Sequence, residues 1–261
     1  MCRMLEGRVA VVTGSGRGIG RGIALKLASE GAKVVVNGTT RDAVEETVSL
    51  IRGEGNEAVG HVADVSRGPE VDALMQSAVS NFGKLDILVN NAGVNRDAMF
   101  EKMTEEQWDE VIDVNLKGPW LCCKYAGPLM RQNRYGRIIT VGSEGAVFGN
   151  MGMVNYISAK TGLLGMTMTI ARELGRWVRK DGDGSSLTCN IIFPGFNVTR
   201  MTDGVPEQLR EHQLSQIVLG RVADSREDVG ALVAFLASPS ASYITGSKIA
   251  CNGGLHMTLV G

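Results

Sequence analysis

The chain is poor in the residues that build metal and disulfide chemistry. Its 261 residues include only three histidines, His61, His212 and His256, and none is spaced as a ligand pair. A catalytic zinc site is therefore not expected. The five cysteines, Cys2, Cys122, Cys123, Cys189 and Cys251, are odd in number and form no Cys-x-x-Cys. Cys122 and Cys123 are adjacent and would leave a helix in different directions. All five read as reduced, mostly buried thiols of a cytosolic protein. Neither sign of charge is in excess. The formal net charge is −1, so no basic field points to nucleic acid or an anionic membrane. Long apolar runs are missing as well. VAVVTG and ITVGS have the length of a strand, far short of a bilayer span. The N-terminal MCRMLEGRVAVV enters a strand without a signal-peptide core, and a cytoplasmic location is expected.

What is present is an ordinary globular balance, 44% apolar and 21% charged, enough for a sizeable core. Short β-branched runs alternate with longer helical patterns. Strands are predicted at 8–13, 33–36, 57–64, 86–91, 136–143, 187–195 and 247–251. Helices are predicted over 19–29, 41–53, 67–82, 104–133, 154–179, near 205–217 and over 225–238. This alternation predicts an α/β fold, a doubly wound parallel sheet of Rossmann type with helices on both faces. The strands are near-continuous apolar runs, as burial of both faces requires. No domain boundary or repeat interrupts the pattern, so a single catalytic domain over 1–261 is expected. RKDGDGSS (179–186) reads as an exposed loop.

TGSGRGIG (13–20) follows the first strand and opens the first helix. A helix N-terminus presents free N–H groups and the positive end of its dipole, and glycines let the backbone approach a pyrophosphate. The bland alternative is a tight strand-to-helix turn without a ligand. Gly14, Gly18 and Gly20 are spaced Gly-x-x-x-Gly-x-Gly, and Ser15, Arg17 and Ile19 complete the loop. The second strand ends VVVNGTTRD, with Asn37 and Thr39 near its tip and no carboxylate for a ribose hydroxyl. Hydroxyls with Arg17 and Arg41 suit a 2′-phosphate, which favours NADP(H) over NAD(H), although both arginines would also suit a solvated surface. YISAK (156–160) places Tyr156 and Lys160 on one helix face at i and i+4. It is either an ordinary helix turn or a proton donor beside a cation.

Taken together, these motifs resemble the short-chain dehydrogenase/reductase family along nearly the whole chain. Besides TGSGRGIG and YISAK they are ADVS (63–66), NNAG (90–93), DVNLKG (113–118), VGSEGA (141–146), FPG (193–195) and CNGG (251–254). The stretch from NNAG to DVNLKG is most similar to the 3-oxoacyl-[acyl-carrier-protein] reductase branch, in which an Arg-Asp pair follows NNAG. The resemblance implies a catalytic tetrad of Asn115, Ser143, Tyr156 and Lys160. It implies that Asp64 and the Val65 backbone contact adenine, and that Asn91, Ala92 and Gly93 support the ribose and the central strand. Pro194, Gly195 and Thr199 would hold the nicotinamide carboxamide, and Lys160 its ribose. An unperturbed tyrosine titrates near ~10, and a neighbouring ammonium is expected to lower that value. Tyr156 would then exchange a proton with a carbonyl or alcohol oxygen that Ser143 also bonds, and Asn115 would hold a water behind Lys160.

The chain also departs from that branch. Gly142 replaces a frequent serine and Met153 a frequent glutamine, so that Glu144, Phe148, Met151 and Met153 would line the substrate mouth. The apolar members suit either an apolar pocket or subunit packing. Of two basic positions that dock a carrier protein in the family, Arg134 matches one. The other falls at Trp177, between Arg176 and Arg179. Segment 196–220 resembles the family's substrate lid, and its Arg200 faces either an anionic substrate group or solvent. The faces of helices 104–133 and 154–179 are expected to pair into a homotetramer, or a heteromer with a related chain. The reading is an NADP(H)-dependent reductase of 3-oxoacyl thioesters, on carrier protein or CoA, or the reverse. The alternatives are a dehydrogenase of a small secondary alcohol, cyclic ketone or polyol, and a non-catalytic dinucleotide-binding subunit.

Overall fold

A computed structural model of the chain describes residues 3–197 and 214–255. Thr199, Arg200, His212, His256, Cys2 and most of the expected lid lie outside the described residues.

Seven parallel strands form one sheet. They are β1 (Val9–Val12), β2 (Lys33–Gly38), β3 (Ala58–Val62), β4 (Ile87–Asn90), β5 (Tyr135–Val141), β6 (Ser186–Pro194) and β7 (Lys248–Cys251). Their order is β3-β2-β1-β4-β5-β6-β7. β1 is short but central, with Val11 opposite Val35 on one side and Leu88 on the other. The period of two sends its side chains to opposite faces. Ala10 and Val12 enter a core under α1 (Gly18–Ser29), α2 (Arg41–Gly53) and α8 (Ala231–Ala237). Val9 and Val11 enter a second core under α3 (Gly68–Phe82), α5 (Gly118–Gln132) and α7 (Val154–Asp181). Both faces are therefore dry, as the unbroken apolar runs require. Each fully buried Val, Leu or Ile contributes roughly 1.5–3 kcal/mol to this arrangement.

The chain winds outward through β1, β2 and β3, then crosses back to β4. That reversal opens a crevice beyond the carboxyl ends of β1 and β4, the place where open α/β sheets bind ligands.

Three helices differ from the sequence-based expectation; the predicted helix 225–238 opens as a π-helical turn over Ser225–Gly230 before α8. The predicted helix 104–133 begins with a capping box, in which Thr104 and Gln107 satisfy each other's backbone N–H. It then divides into α4 (Glu105–Ile112) and α5, joined by a π-helical turn over Asp113–Lys117. The side-chain period shifts in such a turn, and Asn115, fully buried, projects from it. The predicted loop 179–186 is shorter than expected. α7 continues to Asp181 because Arg131 on α5 clamps that carboxylate with bonds of 2.8 and 2.6 Å. A left-handed Gly182 then ends the helix. A short α6 (Gly145–Phe148) between β5 and α7 was not expected, since four residues carry no periodic signal.

Candidate active site

The loop after β1 is built around a glycine that no other residue can replace. Gly14 has φ 63°, and a Cβ there would stand 2.7 Å from the Ala92 Cα. The loop can therefore lie flush on the strand end that carries Asn91 and Ala92. Thr13 and Asn91 fasten the two. The amides of Asn91 and Ala92 donate to the Thr13 hydroxyl at 3.0 and 3.1 Å, and the Asn91 side-chain amide donates to the Thr13 carbonyl at 2.9 Å. α1 then starts at Gly18 with no side-chain cap and no acidic residue in its first turn. Its first N–H groups lie at the carboxyl end of the central strand, with no acidic residue in the first turn to compete for them. That is the donor set a pyrophosphate needs, and a dinucleotide fits.

The predicted binding residues divide into those that face the crevice and those whose side chains hold the fold. Ser15 is fully buried, and its hydroxyl donates to Val12 O at 2.6 Å. Asn37 is buried too: its Oδ1 accepts Gly14 N–H, and its Nδ2 donates to the carbonyls of His61 and Ala63. These two side chains brace the loop. Arg21 is likewise occupied, by Glu46 and the Gly16 carbonyl. By contrast, Arg17, Thr39 and Arg41 are exposed. Among the described residues neither Arg17 nor Arg41 has a side-chain hydrogen bond or ion pair. Asp64 accepts the Ser66 N–H and hydroxyl, which shapes the turn after β3 and leaves Val65 buried beside it.

Ser143 leaves the end of β5, and Tyr156 and Lys160 stand on the first turns of α7. The Ser143 hydroxyl is near enough to Tyr156 to favour its phenolate. Lys160 is almost wholly enclosed, and its Nζ lies 5.6 Å from the Tyr156 ring centre. Its ammonium donates to the Val141 carbonyl at 2.8 Å. The π-helical turn packs on α7. There the Asn115 Nδ2 donates to the carbonyls of Val94 and Val111, while its Oδ1 is buried without a partner among the described residues. A buried acceptor left open in this way suits a water or ligand donor. Gly93 makes the room, since a Cβ there would meet that oxygen at 2.6 Å. Pro194 and Gly195 end β6 on the same side of the sheet.

The electrostatics correct one expectation. Tyr156 is not more acidic than a free phenol. Burial raises the Tyr156 pKa, the Ser143 hydroxyl works against that, and the Asp97 carboxylate adds to it. Lys160 is itself pushed down to about 8 by burial. The reason is desolvation: burial disfavours the phenolate of Tyr156 and the ammonium of Lys160 alike, and at Tyr156 it is the largest influence.

Two asparagines gain roles that the sequence did not give them, Asn252 having figured only within the CNGG motif. Asn155, fully buried, donates from Nδ2 to the carbonyls of Arg96 and Gln107, while its Oδ1 accepts the Tyr156 N–H at 2.7 Å. It fixes the start of α7 against the loop after β4. Its position one residue before Tyr156 was the available signal. Asn252, in the turn after β7, donates to the Glu144 carboxylate at 2.6 Å. Nothing local marks that pairing. A cavity of about 410 Å³ lies beside Asn252, between Phe196, Ile217 and Cys251, and none of the four tetrad residues lines it. On the opposite side, Arg134 donates to the carbonyls of Asp181 and Asp183 beside Trp177.

Comparison with known proteins agrees with this geometry. A family profile described as enoyl-(acyl carrier protein) reductase matches residues 14–256. A 3-oxoacyl-[acyl-carrier-protein] reductase FabG of Staphylococcus aureus (strain N315) is 43% identical over 249 residues, 95% of this chain and 98% of the relative. The FabG of Thermotoga maritima is 38% identical over 251 residues, 96% of this chain and 98% of the relative. A crystal structure titled as a short-chain alcohol dehydrogenase of Sinorhizobium meliloti 1021 superposes with a TM-score of 0.90 at 35% identity, covering 98% of each chain. A glycine loop at the mouth of a parallel sheet, a tyrosine and lysine one helical turn apart, and relatives matched nearly end to end place this chain in the short-chain dehydrogenase/reductase family, as an NAD(P)-dependent oxidoreductase of that type.

Proposed function

We propose that the chain reduces the ketone of a 3-oxoacyl thioester to the 3-hydroxyacyl form, with NADP(H) as the cofactor. One observation carries the chemistry: Tyr156, on the first turn of α7, lies near Lys160 and within the influence of the Ser143 hydroxyl at the carboxyl end of the sheet, and its pKa is raised. Such a phenol keeps its proton through neutral pH, which is the state a general acid needs. A substrate carbonyl oxygen placed between the two hydroxyls would accept from both, and Tyr156 would surrender its proton as negative charge builds on that oxygen. Reduced nicotinamide, when bound, supplies the hydride. Lys160 would hold the nicotinamide ribose, and water at the Asn115 Oδ1 would return the proton to Tyr156 through Lys160. Asp64, Val65, Asn91, Ala92 and Gly93 would line the adenosine half. Thr199, outside the described residues, would join Pro194 and Gly195 at the carboxamide.

Arg17 and Arg41 support NADP(H), since two exposed guanidiniums beside a strand tip without a carboxylate suit a phosphate. The relatives' printed names support the thioester. So do the exposed apolar side chains of the segments that follow β4 and β5, Phe100, Val147, Phe148 and Met151, a surface better matched to an acyl chain than to a polyol. Residues 196–220 would close over it as the lid of a single catalytic domain. The Arg134 guanidinium is turned to the 181–183 loop, which favours an acyl-CoA over a bulky acidic carrier protein.

The test is a set of initial rates with NADPH or NADH on acetoacetyl-CoA, acetoacetyl carrier protein, and a panel of simple ketones and polyols. Turnover of the thioesters well above the others, with NADPH preferred, is expected. Preference for ketones or polyols would refute the thioester reading.

A further inference from the structure

We propose that Asn252 is a positioning residue, which acts through Glu144 to hold the Ser143 hydroxyl in register with Gly195. The proposal rests on the reading of Ser143 as a substrate-bonding residue and extends it to a residue nothing assigns. On the sheet side, Ser143 is well anchored: Gly142 N–H donates to Ile192 O at 2.8 Å, and Lys160 donates to Val141 O. Beyond Ser143 the chain leaves the sheet. Residues 147–150 are exposed, the amides of Ala146, Val147 and Gly149 bond locally, and the Ala146 carbonyl accepts the Thr161 hydroxyl of α7 at 3.2 Å. The Glu144 carboxylate reaches out of this segment to Asn252, 108 positions away, at 2.6 Å.

Asn252 is itself rigid. Its Nδ2 also donates to Leu255 O at 3.2 Å, and its Oδ1 accepts Gly254 N–H at 3.1 Å. Its backbone lies so close to Gly195 that a Cβ on that glycine would stand 2.6 Å from the Asn252 Cα. The same turn takes the Leu219 N–H on the Gly253 carbonyl at 3.1 Å. One side chain therefore joins the loop that carries Ser143 to the strand end expected at the nicotinamide. A carboxylate accepting from a neutral amide is a strong bond with a fixed direction. Aspartate in place of Asn252 would instead face Glu144 with a second carboxylate.

The test is a charge swap read in two ways. In Asn252→Asp, two carboxylates at this distance keep the contact only while they share a proton. At about pH 6 the loop stays closed; at about pH 9 repulsion opens it. Other ionisable groups nearby are Arg221, Asp228 and Cys251 around the adjoining cavity, and Tyr156 and Lys160 beyond Ser143. The wild-type profile carries their contribution. Relative to wild type, kcat of the variant should fall roughly tenfold or more across that range, with little change in KM for NADPH. Hydrogen exchange of cofactor-free protein should rise over residues 143–150 at the higher pH and not in β5. Glu144→Gln introduced into Asn252→Asp restores a donor–acceptor pair and should restore both readouts. If Asn252→Asp does not fold, Glu144→Ala serves, with faster exchange over 143–150 at every pH. A profile parallel to wild type, a failed rescue, or unchanged exchange in Glu144→Ala would overturn the proposal. Wild-type protein inactive on thioesters would refute the proposed function and leave the exchange test intact.

Discussion

At the scale of the residue, the site is governed by what water can no longer reach. Tyr156 holds its proton more tightly than a free phenol, and Lys160 holds its proton less tightly than a free amine, both because burial disfavours charge. Tyr156→Phe keeps the ring and removes the acid. It should lower kcat by about 10²–10⁴-fold while NADPH binding, followed by fluorescence, persists. Lys160 also links stability to pH. Its folded pKa is about 8 against an ordinary 10.5. Between those values the unfolded chain binds the extra proton, so this group makes stability rise with pH across that window. The full effect is on the order of 3 kcal/mol. Buried thiols and phenols with raised pKa values pull the total the other way in this window, so the Lys160 contribution is read as the difference in urea-unfolding slope between wild type and Lys160→Met; equal slopes would contradict it. Arg17→Ala combined with Arg41→Ala should raise KM for NADPH at least ~10-fold, by loss of charge-assisted bonds, and leave KM for NADH nearly unchanged. Equal losses with both cofactors would argue that the arginines are only surface charge.

At the scale of the element, the start of α7 and the π-helical turn decide where those residues stand. Asn155 joins the first turn of α7 to the loop after β4 and to the last residues of the capping box. Asn155→Ala leaves two carbonyls without a donor and should destabilise by about 1–3 kcal/mol. Thermal unfolding measures this, with a larger loss in kcat than the stability change alone explains, because Tyr156 loses its mooring. The tyrosine–lysine spacing was legible in the sequence, since i and i+4 share a face in any α-helix. The π-helical turn was not. The pattern of 104–133 is continuous, and only the packing of Asn115 beneath Gly93 and against α7 requires the extra residue in that turn.

At the scale of the whole molecule, α5 and α7 present apolar groups that the described chain does not cover. Trp120 is 48% and Met168 is 47% exposed. We expect these faces to pair between copies in a homotetramer. Light scattering on wild type should give four times the chain mass, and Trp120→Glu with Met168→Glu should reduce it. A wild-type monomer would contradict the expectation.

The sequence by itself determined the alternation of strand and helix, the glycine loop, the absent carboxylate at the second strand tip, and the shared face of Tyr156 and Lys160. These depend on periodicities and turns a few residues long, which the covalent chain enforces locally. Only the tertiary structure decided that Ser15 and Asn37 are consumed by the fold, that burial raises the Tyr156 pKa instead of lowering it, and that Glu144 meets Asn252. Desolvation and hydrogen-bond partnership are set by whichever distant segment packs over a group, and no local pattern encodes that neighbour.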